Sequence, residues 1–338
     1  MSTIFGVDFG TSNSCISIIR DDKDFRVIQN EYGKYTTPTC IYFDATSEDI
    51  VYGDLALQQS NYRGTLISNI KRLFGITFIE FSNDINLKSF FKTLHIEKCT
   101  ESDYCCIVLQ HNNRIHRFTP HNIAQMYLNW LLTTTKTIVK DASNDIVITV
   151  PVKFTNNQRI LLKQILHNIG YNPIRILNEP TAATIAYTLN TQNNTKRNYE
   201  DCLTEKVLVV DCGGGTTDFT LLEADYSNMY FEVINTTGNQ FLGGEDITDN
   251  LATYILSKIK CDITSKITKR VKTASETCKQ NLTYKTLDTI ILENICDKDY
   301  IINVSRNILE TINVYSKLIY HVTFLISPID KLSFEISF

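Results

Sequence analysis

One local pattern occurs twice in this chain, and a repeat constrains a fold more tightly than any single motif. Residues 4–9 (IFGVDF) and 15–19 (CISII) are β-branched or aromatic, and they flank Gly10-Thr11-Ser12-Asn13, which is turn chemistry. The pattern predicts two strands joined as a hairpin. Far downstream, residues 207–210 run into Asp211, then Cys212-Gly213-Gly214-Gly215-Thr216-Thr217, then the apolar stretch 219–222. The order is the same: strand, Asp, glycine loop with hydroxyls, strand. At 338 residues and 43% apolar content the chain is long enough for two lobes with separate cores.

Between the two copies lie mixed short elements over 38–110 and a helical pattern over 120–140. A buried-type strand at 146–150 ends at Pro151, a second helix over 156–169 closes at Gly170, and a short strand covers 174–177. Strands alternating with helices give an α/β fold class. The stretch 190–205 is polar and without apolar period, so it reads as a surface loop and as the boundary between lobes 1–190 and 191–338.

Bulk properties narrow the partners. Formal net charge is −4, which offers no global positive field for nucleic acid or an anionic membrane. The N-terminal MSTIFGVDFG lacks the basic stretch and apolar core of a secretory signal, and the uncharged run 318–329 is too short to span a bilayer, so a cytoplasmic protein is expected. Ten cysteines are scattered without a CxxC pair and are expected to be reduced packing thiols. His111, His116 and His121 recur every five residues, which fits neither a helix face nor alternate strand positions, and no metal site is read there.

The glycine loops differ from a P-loop or a dinucleotide fingerprint, because each runs from strand to strand and not into a helix. Gly10 and Gly213, Gly214 and Gly215 let backbone N–H groups approach phosphate oxygens, while Thr11, Ser12 and Thr216 add hydroxyl donors. Asp8 and Asp211, each at the end of a strand, suit a hydrated Mg²⁺, which favours few carboxylates and keeps its waters. Either loop alone reads equally as a plain glycine turn; two matched copies favour phosphate. Glu179 precedes Pro180 at a strand-to-helix junction, where it could orient or deprotonate a water or could simply favour a helix N-terminus. Lys71, in NIKRLFG, is undecided by spacing. Glu276, Lys279 and Thr283 share one face of a helical stretch from about residue 269, as a ribose and base contact or as a solvated stripe.

The ordered set of motifs resembles the nucleotide-binding domain of the heat-shock 70 chaperone family. GVDFGTSNS is similar to its first phosphate loop, NIKRLFG to its lysine segment, VITVP to its proline segment and ILNEPTAATIAY to its connecting helix. VVDCGGGTTDF is similar to its second phosphate loop and FLGGED to its second-lobe glycine loop. The resemblance implies a two-lobed actin-like ATPase fold with duplicated ribonuclease-H-like halves. Lobe I would have a core of 1–37 and 112–190 with an inserted subdomain 38–111. Lobe II would comprise a core of 191–228, a subdomain 229–310 and a divergent tail 311–338.

By the same resemblance, Mg²⁺ and ATP or ADP sit between the lobes. Asp8, Thr11 and Ser12 meet the β- and γ-phosphates and the Mg²⁺ hydration shell, and Gly213 to Thr216 close over them. Lys71 and Glu179 position the attacking water, and Asp211 assists through Mg²⁺. Gly243 and Gly244 belong to the second-lobe loop, Glu276, Lys279 and Thr283 contact adenosine, and Pro151 with Arg159 relays nucleotide state. Co-chaperones or nucleotide exchange factors are the implied partners, and stress response and protein folding the implied role. Two other readings stay open: a non-catalytic module that binds those partners, and a small-molecule kinase of the same superfold. No glycine follows Gly244, whereas the family has an adenosine-binding glycine loop in that region. The visible resemblance ends near residue 310. An incomplete second lobe, weak or absent hydrolysis, and no linker or peptide-binding domain in this chain are therefore expected.

Overall fold

The computed structural model describes residues 3–20, 24–59, 63–139, 142–194 and 204–313. The chain divides into two compact units, Met1–Arg197 and Asn198–Phe338.

The first unit is organised by β1 (Thr3–Asp8), which pairs antiparallel with β2 (Asn13–Arg20) and lies next to β3 (Asp24–Val27) through β2. On its other side β1 pairs parallel with β4 (Ala142–Val150), and β4 pairs parallel with β5 (Asn172–Asn178), giving the order β5-β4-β1-β2-β3. The predicted hairpin is present, with Asp8 opposite Cys15. Phe5, Val7, Ile146, Ile148 and Val150 alternate into the core at 2% exposure or less, the period-2 signature of a sheet with a buried face.

Helices cover the sheet. Helix α1 (Pro120–Ile138) starts at a Thr119/Asn122 capping box and buries Ile123, Tyr127, Leu128, Leu131 and Leu132 at i, i+4, i+5, i+8 and i+9. Helix α2 (Asn156–Asn168) is capped by Thr155 and ends before Gly170, whose φ of +85° is the left-handed region that favours glycine. Helix α3 (Glu179–Asn194) follows β5 directly. The expected 190–205 loop is therefore helical to Asn194 and ends where strand resumes at Thr204; its middle, 195–203, lies outside the described residues. The segment 38–110 resolves into two three-stranded sheets, one centred on Cys40–Asp44 and one on Cys105–His111, the latter extending to Phe118.

The second unit begins with a three-stranded antiparallel sheet, β6 (Thr204–Cys212), β7 (Thr217–Asp225) and β8 (Tyr230–Asn239). Helices α4 (Gly244–Leu256) and α5 (Ser265–Tyr284), the hairpin β9 (Leu287–Ile295) and β10 (Lys298–Ser305), and α6 (Arg306–Ile312) share a small core of Leu251, Ile255, Val271, Leu282, Leu292 and Val304. Of the expected divergent tail 311–338, residues 314–338 lie outside the described residues. Among the described residues no helix is long and apolar enough to cross a membrane.

One expectation is corrected here. Cys261 and Cys296 form a disulfide, because the small core brings the α4–α5 connection against the β9–β10 turn. Seven of the other cysteines are free, and Cys202 lies outside the described residues.

Of the three spaced histidines, His111 and His116 are neighbours, with ring centroids 5.6 Å apart, and His121 packs against other rings. His111 Nδ1 is 2.8 Å from the Asp44 carbonyl, His116 stacks on Phe118, and His121 sits against Phe74 and Tyr104 with its Nε2 buried and unpartnered. Burial pushes the His121 imidazole down to about 4. Because the unfolded chain binds that proton more readily, stability is expected to fall as pH drops from about 6.5 towards 4. Urea midpoints measured across that range should decline less in His121→Phe than in the parent.

Candidate functional site

In the first unit the site starts at Asp8, at the carboxyl end of the strand that runs through the middle of the sheet, the end where open α/β sheets place ligands. Its exposed carboxylate accepts a hydrogen bond of 3.0 Å from the Thr149 hydroxyl, whose residue pairs with it across β1 and β4. Burial, and then the charge of Asp8, raise the Cys15 thiol opposite. In the turn beyond, a Cβ on Gly10 would lie 2.0 Å from the Asn13 carbonyl oxygen, so only glycine permits this close approach. Thr11 has no hydrogen-bond partner among the described residues.

Lys71 lies in a short 3-10 turn, Ile70–Arg72, entered through Asn69 in the left-handed region at φ 58°. The lysine is 7% exposed, and its ammonium donates a 2.7 Å hydrogen bond to Glu179 Oε1, a partner 108 residues away. The ammonium also lies 5.8 Å from the Phe9 ring and 5.9 Å from the Phe154 ring, whose faces are attractive to a cation. Phe9 follows Asp8, so the lysine sits beside the first glycine loop. Glu179 is the first residue of α3, with Pro180 fitting the first turn as its sequence predicts.

Arg159 secures the ground on which Glu179 stands. From α2 its guanidinium donates to the Phe154 and Pro151 carbonyls at 3.2 and 3.4 Å and to Asn178 Oδ1 at 2.8 Å. It thus ties the end of β4 to the residue preceding Glu179.

In the second unit β6 ends at Asp211 and Cys212, with Asp211 exposed and in register with Asp218. The loop is a tight turn in which the Gly213 N–H donates to the Thr216 carbonyl at 2.8 Å. The first amides of α4 pack onto this loop: Gly244 N–H donates to the Gly213 carbonyl at 3.0 Å and Glu245 N–H to the Gly214 carbonyl at 2.6 Å. A Cβ on Gly243 would lie 2.6 Å from the Gly214 carbonyl oxygen, so backbone meets backbone here. Gly243 and Gly244 therefore act as the support of the second glycine loop. The Gly214 N–H has no hydrogen-bond partner among the described residues.

Lys279 donates to the Gly244 carbonyl at 2.8 Å, the Thr248 hydroxyl at 2.9 Å and Glu276 Oε2 at 2.7 Å, which occupies all three ammonium hydrogens. Burial works to raise the Glu276 carboxyl, but hydrogen bonds from Lys279 and Thr248 and the lysine charge outweigh it and hold it below the ordinary carboxylate range. Thr283 stands apart, exposed near the end of α5, with its carbonyl accepting from Arg306 at 3.2 Å. Helix α5 begins at Ser265, ahead of the expected start near 269. Sequence reasoning did not single out Thr149 or Thr248; the latter sits one helical turn after Gly244, a spacing that could have marked it.

The Hsp70 protein family model matches residues 4–325 of the chain. The chain belongs to the Hsp70 family. It is 32% identical over 317 residues to heat shock 70 kDa protein 2 of Paracoccidioides lutzii, covering 90% of this chain and 45% of that protein. A heat shock 70 kDa protein of Emericella nidulans is 31% identical over 315 residues, covering 90% of this chain and 46% of its own length. The chain thus spans less than half the length of these curated relatives. The mixed α/β architecture is consistent with the Hsp70 nucleotide-binding actin-like fold. The family match extends to residue 325, past the point near 310 where the visible motifs end.

The Lys71–Glu179 pair makes a direct stability prediction for this Hsp70 chain. Lys71→Ala takes the buried lysine away from the half-buried Glu179 carboxylate and is expected to cost about 3 kcal/mol. Combining Lys71→Met with Glu179→Gln should recover most of that loss in urea unfolding. A Lys71→Ala protein as stable as the parent would show that the pair carries no structural weight.

Proposed function

We propose that this chain is a chaperone-type nucleotide-binding domain that takes Mg-ATP, with slow or impaired hydrolysis to ADP. The observation carrying this reading is the Lys71–Glu179 pair, its lysine buried, beside the Asp8–Gly10 loop, because an ammonium held against a carboxylate next to a strand-end glycine turn suits phosphoryl transfer. The unpartnered Thr11 hydroxyl and Gly214 N–H, and the glycine-only cradle at Gly10, fit phosphate oxygens. Asp8 and Asp211 would hold Mg²⁺ through water, and the ion supplies charge neutralisation on the phosphates.

The chain's own residues then divide the work. Thr11, Ser12 and the Gly213–Thr216 loop bind and orient the terminal phosphates. Glu179 orients the attacking water and draws on its proton, while Lys71 holds that carboxylate in place. Arg159 fixes the approach of Glu179 through Asn178. Glu276, Lys279 and Thr283 contact adenosine, with Gly243 and Gly244 behind the second loop. The setting is cytoplasmic, with co-chaperones or exchange factors as partners in protein folding under stress.

A second reading, binding without turnover, is favoured by the Lys279 network. Its ammonium already has three acceptors, so an adenosine contact must replace one of them, which weakens nucleotide affinity.

Calorimetric titration of Mg-ATP into the full chain tests the site. Asp8→Ala is expected to weaken binding about tenfold or more, the scale of one hydrogen bond to a charged group. Binding unchanged by that substitution would sink the phosphate assignment. Glu179→Gln should leave binding intact and lower single-turnover hydrolysis about 100-fold; a parent protein with no measurable turnover supports the binding-only reading.

A further inference from the structure

The second unit carries chemistry that nucleotide binding does not use. The β9–β10 turn places Asn294, Cys296 and Asp297 in the left-handed region at φ 50°, 51° and 60°, and this sharp reversal carries Cys296 out to the connection between α4 and α5. There it meets Cys261, at a sequence separation of 35 and with Cα atoms 6.6 Å apart, a distance within the usual disulfide range. Cys296 is exposed and Cys261 half-buried, so the bond is open to solvent on the hairpin side.

Three buried thiols contrast with this pair. Burial pushes Cys105, Cys106 and Cys278 up to about 12, 11 and 12, which keeps them protonated and out of exchange chemistry. Beside Cys296 lies a groove of about 440 Å³ lined also by Lys266 and Arg270, which lie one helical turn apart on α5, and by Glu293. Arg270 is fixed there by its 2.6 Å hydrogen bond to the Glu293 carbonyl. Two cations beside an accessible sulfur favour an anionic reagent and stabilise a thiolate.

We propose that Cys261–Cys296 is a thiol–disulfide exchange site for anionic low-molecular-weight thiols, and that opening it releases the β9–β10 turn from the α4–α5 connection. A thiolate seated near Lys266 and Arg270 attacks Cys296 Sγ, forming a mixed disulfide and expelling the Cys261 thiolate, which takes a proton from water. A second thiolate attacks the small-molecule sulfur of that mixed disulfide. The products are the oxidised small-molecule disulfide and the Cys296 thiolate, and the two electrons come from the two thiols consumed. The reverse reaction, driven by the oxidised small molecule, restores the protein bond.

The test uses the full chain with glutathione as the anionic thiol and 2-mercaptoethanol as a neutral one. Tryptic digestion of alkylated, unreduced protein is expected to yield residues 261–266 joined to residues 286–298, two hydrogens lighter than the separate peptides. Reduced glutathione should separate them and oxidised glutathione should rejoin them. In Cys261→Ser, oxidised glutathione should leave its adduct on Cys296. Lys266→Glu combined with Arg270→Glu should slow opening by glutathione about tenfold at low salt while leaving 2-mercaptoethanol unaffected. Amide exchange over residues 292–298 should quicken on reduction. No joined peptide after oxidised glutathione overturns the site, a glutathione rate unchanged by the double variant overturns the role of the groove, and unchanged amide exchange overturns the release of the turn.

Discussion

A lysine removed from water needs a fixed opposite charge, and the first unit is arranged around meeting that need. The Lys71 ammonium has Glu179 on one side and the faces of Phe9 and Phe154 nearby. Each partner comes from a different element: β1 ends just before Phe9, the 3-10 turn holds Lys71, the end of β4 leads to Phe154 and α3 opens with Glu179. Desolvating the pair is costly, and only well-fixed geometry offsets that cost. The stacking of Phe74 on Phe154 at 5.8 Å and the bond from Gln158 Nε2 to the Phe74 carbonyl at 2.7 Å supply this fixity.

The second unit solves a different problem. Its glycine loop would be free to collapse if nothing stood behind it, and the start of α4 supplies the wall. The amides of Gly244 and Glu245 donate to loop carbonyls, so a helix terminus that commonly attracts anions is engaged with the chain itself. Loop and helix become one rigid piece, and Lys279 fastens α5 to it through the Gly244 carbonyl.

What the sequence disclosed follows from the range of the forces involved. Local rules placed the hairpin around Gly10, the Thr155 start of α2 and the glycine end at Gly170, because period, caps and backbone freedom act over a few residues. The motif order also gave the residues of both glycine loops. What stayed hidden depends on distant chain segments meeting. Local pattern carries no trace of the contact between Lys71 and Glu179 at a separation of 108, which only the resemblance suggested, nor of that between Cys261 and Cys296 at a separation of 35. The two small sheets within 38–118 were unreadable because their strands are short and their pairing is tertiary. Gly243 was placed in a cofactor loop by resemblance, and its geometry adds a packing reason for the glycine.

Arg159 makes the first unit sensitive to movement along its sheet. One guanidinium spans the Pro151 carbonyl at the end of β4 and the Asn178 side chain at the end of β5, two neighbouring parallel strands. A sliding of either strand by a fraction of a hydrogen-bond length shifts the same planar group, and that shift arrives at the peptide bond leading into Glu179. The carboxylate is therefore geared to strand register, so that strain anywhere along β4 or β5 is converted into a displacement of the one acid that Lys71 holds.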